Sequence, residues 1–178
     1  MSCLSWNAGA WNPGAVRELR KHVKQEVPGL FLVEPKITTV RVECLQNQLG
    51  FAGCFAVSSV GLSGGLGLFW TTDFEVDPMS YSAGHIDVWV RRRSNNKKWR
   101  MTGFYGAPRV EDRHLSWSLL RTLFAVQHEG WMCIGDFNET LQGSEHFSRS
   151  ARPERQMLKF REAMDDCLLQ DLGWIGAD

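Results

Sequence analysis

Short apolar runs that each end in a hydrogen-bonding or charged side chain restrict the fold of this chain more than any other feature. Cys3-Leu4-Ser5-Trp6 ends in Asn7, and Leu30-Phe31-Leu32-Val33 ends in Glu34. Gly103-Phe104 ends in Tyr105, and Met132-Cys133-Ile134-Gly135 ends in Asp136-Phe137-Asn138. Apolar runs of this length fit buried strands better than helices.

Between these runs lie stripes at helical spacing. Val16, Leu19 and Val23 follow Asn12-Pro13, an N-cap and first-turn pair that predicts a helix from Pro13 to about Lys24. Thr38 and Thr39 precede Val42, Leu45 and Leu49, with Gly50 as a stop. Leu115, Leu119 and Leu123 mark a further helix, and Met157, Phe160, Met164 and Cys167 mark a last one introduced by Pro153. In the middle, Phe51 to Val60 pairs with Gly65 to Trp70, and His85 to Val90 with Trp99 to Tyr105, as antiparallel hairpins. Helices alternating with short strands around central hairpins predict an α/β (α+β) layered sandwich with mixed sheets rather than a parallel doubly wound one.

A length of 178 residues with 43% hydrophobic side chains suits one globular domain over 1–178. Lys plus Arg and Asp plus Glu are 20 each, so no global field draws the molecule to nucleic acid or to an anionic membrane, and any such contact must be local. The cysteines, Cys3, Cys44, Cys54, Cys133 and Cys167, are scattered and form no C-x-x-C pair, which favours reduced thiols. The N-terminus carries no basic, apolar leader and no run approaches the ~20 residues of a membrane span, so a soluble, intracellular protein is expected.

If the four polar-ended strands share sheets of compatible polarity, they deliver an amide, two carboxylates, a phenol and a second amide to one rim. That set suits metal-assisted attack on a phosphate. A hard divalent cation takes one or two carboxylates with other oxygen donors, which Glu34 and Asn7 offer. Asp136 then orients or deprotonates the attacking water, while Asn138 and Tyr105 donate hydrogen bonds to phosphate oxygens.

Other signals are weaker. Gly64-Gly65-Leu66-Gly67 is followed by no Gly-Lys-Ser/Thr and reads as a hairpin turn, not a nucleotide loop. Arg91-Arg92-Arg93 with Lys97, Lys98 and Arg100 forms a basic hairpin tip that reads either as a solvated turn or as a hold on a DNA phosphate backbone. His22, His85, His114, His128 and His146 read as surface, cap or packing residues, and the strand tryptophans as packing.

Taken in order, SWN, LVEPK, SGGLGLFW, FYGAP, CIGDFNE and RPERQMLKFREAMDDCLLQDLG resemble the endonuclease domain of plant-type LINE (non-LTR) retrotransposons, in the endonuclease/exonuclease/phosphatase superfamily. The resemblance runs almost end to end. It implies a DNase-I-like, four-layered α/β sandwich with two mixed β-sheets, and a magnesium site in which manganese can substitute. By motif, Asn7 and Glu34 take the metal positions, Tyr105 the transition-state tyrosine, and Asp136 with Asn138 the water-orienting and phosphate-binding pair. Pro35 stands where relatives usually have Thr, and the family's last strands and Ser-Asp-His signature would follow Asp178, so a domain truncated at that end is expected. The function implied is magnesium-dependent DNA nicking in the nucleus. The alternative is a catalytically inactive remnant that binds nucleic acid weakly. Phosphoinositide or phospholipid headgroup substrates are disfavoured by the retrotransposon-like FYGAP and RPERQM segments.

Overall fold

The computed structural model describes residues 3–7, 13–23, 29–33, 39–58, 65–126, 130–143 and 152–173. They fall into two compact units, Met1–Gly106 with His128–Phe137, and Ala107–Gln127 with Asn138–Asp178.

The first unit holds two four-stranded sheets, and both are mixed, as the strand and hairpin pattern predicts. One has the order β1 (Leu4–Asn7), β2 (Gly29–Val33), β4 (Leu66–Trp70), β3 (Gly53–Val57), with β1 parallel to β2 and the rest antiparallel. The other has the order β5 (Phe74–Ser82), β6 (His85–Arg92), β7 (Lys98–Tyr105), β8 (Trp131–Asp136), with only β7 and β8 parallel. Strand alternation sends Phe31, Val33, Leu66 and Leu68 of the first sheet and Ile86, Val88, Val90 and Met101 of the second into one shared core. The Phe31 ring lies so close to Gly103 that a Cβ there would sit 2.2 Å from it, which fixes the approach of β2 to β7.

On the outer face of the first sheet, Leu19 of α1 (Pro13–Val23) and Val42 and Leu45 of α2 (Thr39–Leu49) pack with Leu30, Leu32 and Phe69. These are the positions of the helical stripes in the sequence. The proposed caps Asn12 and Thr38 lie outside the described residues.

β5 was not expected from the sequence. Asp77, Pro78 and Ser80 break its apolar alternation, and Pro78 is tolerated because β5 is an edge strand whose register shifts between Pro78 and Ser80. The basic tip also needs correction. Arg100 is fully buried and pairs diagonally with buried Asp87, which stands opposite Thr102 on the neighbouring strand, whereas Lys98 stands opposite Arg91 at the exposed end.

The second unit contains a short 3-10 turn (Val110–Asp112), α3 (Arg113–Val126) and α4 (Glu154–Asp166). Trp117 and Phe160 stack with ring centroids 4.8 Å apart. Buried Glu139 pairs with Arg113 and Arg152. Among the described residues, no helix is long and apolar enough to cross a membrane, and all five cysteines are free thiols.

Candidate active site at the mouth of the two-sheet sandwich

Three of the residues expected from the sequence meet at one end of the first unit. Asn7 ends β1 and pairs in register with Val33, an inward-facing core residue, so alternation turns Asn7 to the inter-sheet side as well. Tyr105 and Asp136 end β7 and β8 as direct neighbours in a parallel ladder. Tyr105 packs against the shared core, which places this pair too on the inter-sheet side. The edge strands of the two sheets therefore bring an amide and a carboxylate face to face: Asn7 Nδ2 donates to Asp136 Oδ2 at 2.9 Å. Asn7 is exposed, whereas Tyr105 and Asp136 are half-buried.

The loop ends behind this mouth are held by close backbone packing. Gly106 N donates to the Asp136 carbonyl at 2.8 Å, and a Cβ on Gly106 would lie 2.1 Å from the Phe137 carbonyl oxygen. Gly135 has φ 148°, and a Cβ there would lie 1.9 Å from the Phe104 carbonyl oxygen. Only glycine fits at either position. Phe104 and Phe137 stack at 5.1 Å just beside them. On the other side of Tyr105, its N–H donates to the Gly84 carbonyl at 2.8 Å.

The reverse face of the same strands carries a buried polar network. Arg100 donates from Nε and Nη2 to both carboxylate oxygens of Asp87, at 2.9–3.1 Å. Thr102 Oγ1 donates to Asp87 Oδ1 at 2.7 Å, and Trp131 Nε1 donates to Thr102 Oγ1 at 2.8 Å. The network joins β6, β7 and β8, and so fixes the register that sets Tyr105 beside Asp136. His85, two residues before Asp87, is buried with its ring nitrogens 3.0 and 2.8 Å from the hydroxyls of Ser80 and Ser82. Burial pushes its imidazole pKa below the ordinary value. The Asp87 carboxylate pulls it up, and the Arg100 guanidinium pushes it down again. Sequence reasoning missed this network because its pairings depend on strand register.

Glu34 lies outside the described residues. Asn138 belongs to the second unit, where its backbone is left-handed at φ 55°. Glu139, the last residue of the GDFNE motif, serves there as the buried anchor for Arg113 and Arg152, a role the motif alone does not reveal. Among the described residues, no group of three or more His, Cys, Asp or Glu side chains is placed to hold a metal ion. The donors at the mouth, an amide and a carboxylate, are oxygen donors of the kind a hard divalent cation takes.

No protein-family model and no curated protein sequence matches the chain. Solved structures do match. One is the endonuclease domain of TRAS1, a telomere-specific non-LTR retrotransposon, at 14% identity and TM-score 0.61 over 93% of this chain and 71% of that one. A second is an AP endonuclease from Archaeoglobus fulgidus, at 11% identity and TM-score 0.64 over 92% and 69%. A third is the 3' phosphatase NExo from Neisseria bound to a product DNA hairpin, at 12% identity and TM-score 0.60 over 92% and 70%. The chain has the DNase-I-like endonuclease/exonuclease/phosphatase fold. With two mixed sheets in its first unit and helices in both units, it agrees with the fold class expected from the sequence.

Proposed function

We propose that the chain is a divalent-metal-dependent phosphodiesterase that nicks DNA, of the kind carried by plant-type LINE retrotransposons. The observation that carries this reading is the meeting of Asn7 and Asp136 across the mouth of the sandwich, with Tyr105 beside them. The similar structures support it, since they include two endonucleases and a phosphatase bound to product DNA.

In this reading Asn7 and Glu34 hold magnesium, or manganese in its place. When bound, the cation supplies positive charge that stabilises the phosphate oxygens as they gain charge. Asp136 accepts the proton of the attacking water, and the Asn7 amide hydrogen bond holds the carboxylate in position for it. Tyr105 donates its phenolic proton in a hydrogen bond to a phosphate oxygen in the transition state, a contact of the type typically worth about 10²–10³-fold in rate. For Asn138, in the second unit, the resemblance implies a hydrogen bond to another phosphate oxygen.

The test is conversion of supercoiled plasmid to the nicked circle. The reading predicts nicking with magnesium, none with EDTA and none with Glu34→Ala. Cleavage that continues in EDTA, or that is unchanged in Glu34→Ala, contradicts it.

A further inference from the structure

β6 and β7 run from the mouth to the far end of their sheet, so their connecting tip lies about 25 Å from Tyr105, at roughly 3.3 Å per residue over an eight-residue strand. Five cations gather at this tip: Arg91, Arg92, Arg93, Lys97 and Lys98, all exposed. Three acidic residues of β5 and the turn before it accompany them: Asp73, Glu75 and Asp77, the last opposite Trp89. Glu75 accepts from both Arg91 and Arg93, whose side chains stay 48% and 57% exposed, and Asp73 gives its carbonyl to Arg93 N at 2.9 Å. In a chain whose 20 basic and 20 acidic side chains cancel overall, this is a local positive excess.

The tip is built to hold its shape. Arg92 N donates to the Lys97 carbonyl at 2.9 Å, Lys97 N donates to Asn95 Oδ1 at 3.1 Å, and Asn96 takes the left-handed turn conformation at φ 55°. An aromatic ring lies among the cations. Trp89 shares a strand face with Arg91, and Lys98 Nζ lies 4.2 Å from its ring centroid.

We infer that the β6–β7 tip is a second nucleic-acid docking site, taking the phosphate backbone on Arg92, Lys97 and Lys98 and a base or sugar against Trp89, remote from the mouth. Two features favour nucleic acid over other anionic partners. Within β5–β7 the exposed large apolar side chains are Met79 and Tyr81, which stand beside Asp87 and Ile86 toward the opposite end of the sheet, so these strands give a lipid surface no apolar side chain to bury beside the cations. An acidic peptide supplies charge but no planar partner for Trp89. The inference does not rest on hydrolysis at the mouth.

The experiment is fluorescence anisotropy of a labelled duplex and a labelled single strand, each of about 20 nucleotides, in EDTA from about 50 to about 200 mM salt. Arg92→Gln/Lys97→Gln/Lys98→Gln should weaken binding at least about tenfold at low salt and reduce the log–log salt slope by about 2 to 3, near 0.9 per lost phosphate contact. The single variants Arg92→Gln and Lys97→Gln should each remove about one third of that slope. The three side chains are exposed, so the thermal midpoint should hold and a loss of binding cannot be assigned to unfolding. A triple variant with parental affinity and slope overturns the inference, and so does parental binding to polyglutamate as tight as to DNA. Tip-dependent binding by a protein that nicks nothing leaves this site standing and removes the hydrolytic reading. Nicking without tip dependence does the reverse.

Discussion

Asn7 and Asp136, 129 residues apart in sequence, end edge strands of two different sheets and meet through a 2.9 Å amide-to-carboxylate hydrogen bond. Substituting Asn7→Ala removes the group that positions the carboxylate, while the exposed site tolerates the smaller side chain. The expected outcome is a fall in single-turnover nicking of about 10²-fold, with a change in stability of about 1 kcal/mol or less by urea unfolding.

Gly135→Ala and Gly106→Ala should both destabilise the fold. Each introduces a Cβ within 2.1 Å of a carbonyl oxygen, and backbone cannot yield as a flexible side chain would. A loss of about 2 to 3 kcal/mol is expected for each by denaturant titration. Activity should fall with them, because both residues pack directly around Asp136.

Asp87→Asn leaves the buried Arg100 guanidinium without its carboxylate, which costs about 3 to 5 kcal/mol. The pair Asp87→Leu with Arg100→Met removes both charges and should recover most of that loss. Urea midpoints of the parent, the single and the double variant check this. If the single variant is as stable as the parent, the network does not hold the three strands.

His85 makes stability depend on pH with a definite sign. Its folded pKa is depressed below 6.5, chiefly by burial. Above that pH the ring is neutral in both states and its contribution is complete. As pH falls below 6.5, the unfolded chain takes up the proton first, and stability declines until the pH passes the folded pKa. Between about pH 7 and about pH 5 the parent should therefore lose more stability than His85→Gln, measured as the difference between their unfolding midpoints. Parallel midpoints across that range contradict the assignment.

The sequence made the mouth legible where chemistry and period coincide. Asn7, Tyr105 and Asp136 each follow a short apolar run, and a strand end is where alternation stops hiding a polar group. The α1 and α2 stripes were legible for the same reason, since Leu19, Val42 and Leu45 repeat at helical spacing and face a single sheet. β5 was hidden because an edge strand needs neither continuous apolar residues nor every backbone donor, and Pro78 reads as a break. Arg100 escapes a reading along the chain because neighbours in sequence need not be neighbours in space. In fact Lys98 stays at the exposed tip, while Arg100, two residues on, reaches the buried Asp87. Glu139 stands in a motif whose chemical residues come before it, and only its burial beside Arg113 shows its part.

Whether the mouth holding Asn7, Tyr105 and Asp136 hydrolyses phosphodiesters is tested most directly by single-turnover nicking of supercoiled DNA by Asp136→Asn beside the parent in magnesium. The substitution keeps the size and shape of the side chain and removes its capacity to accept a proton. The variant should fold and its nicking rate should fall by at least about 10²-fold. Nicking by Asp136→Asn at the parental rate would contradict hydrolysis at the mouth.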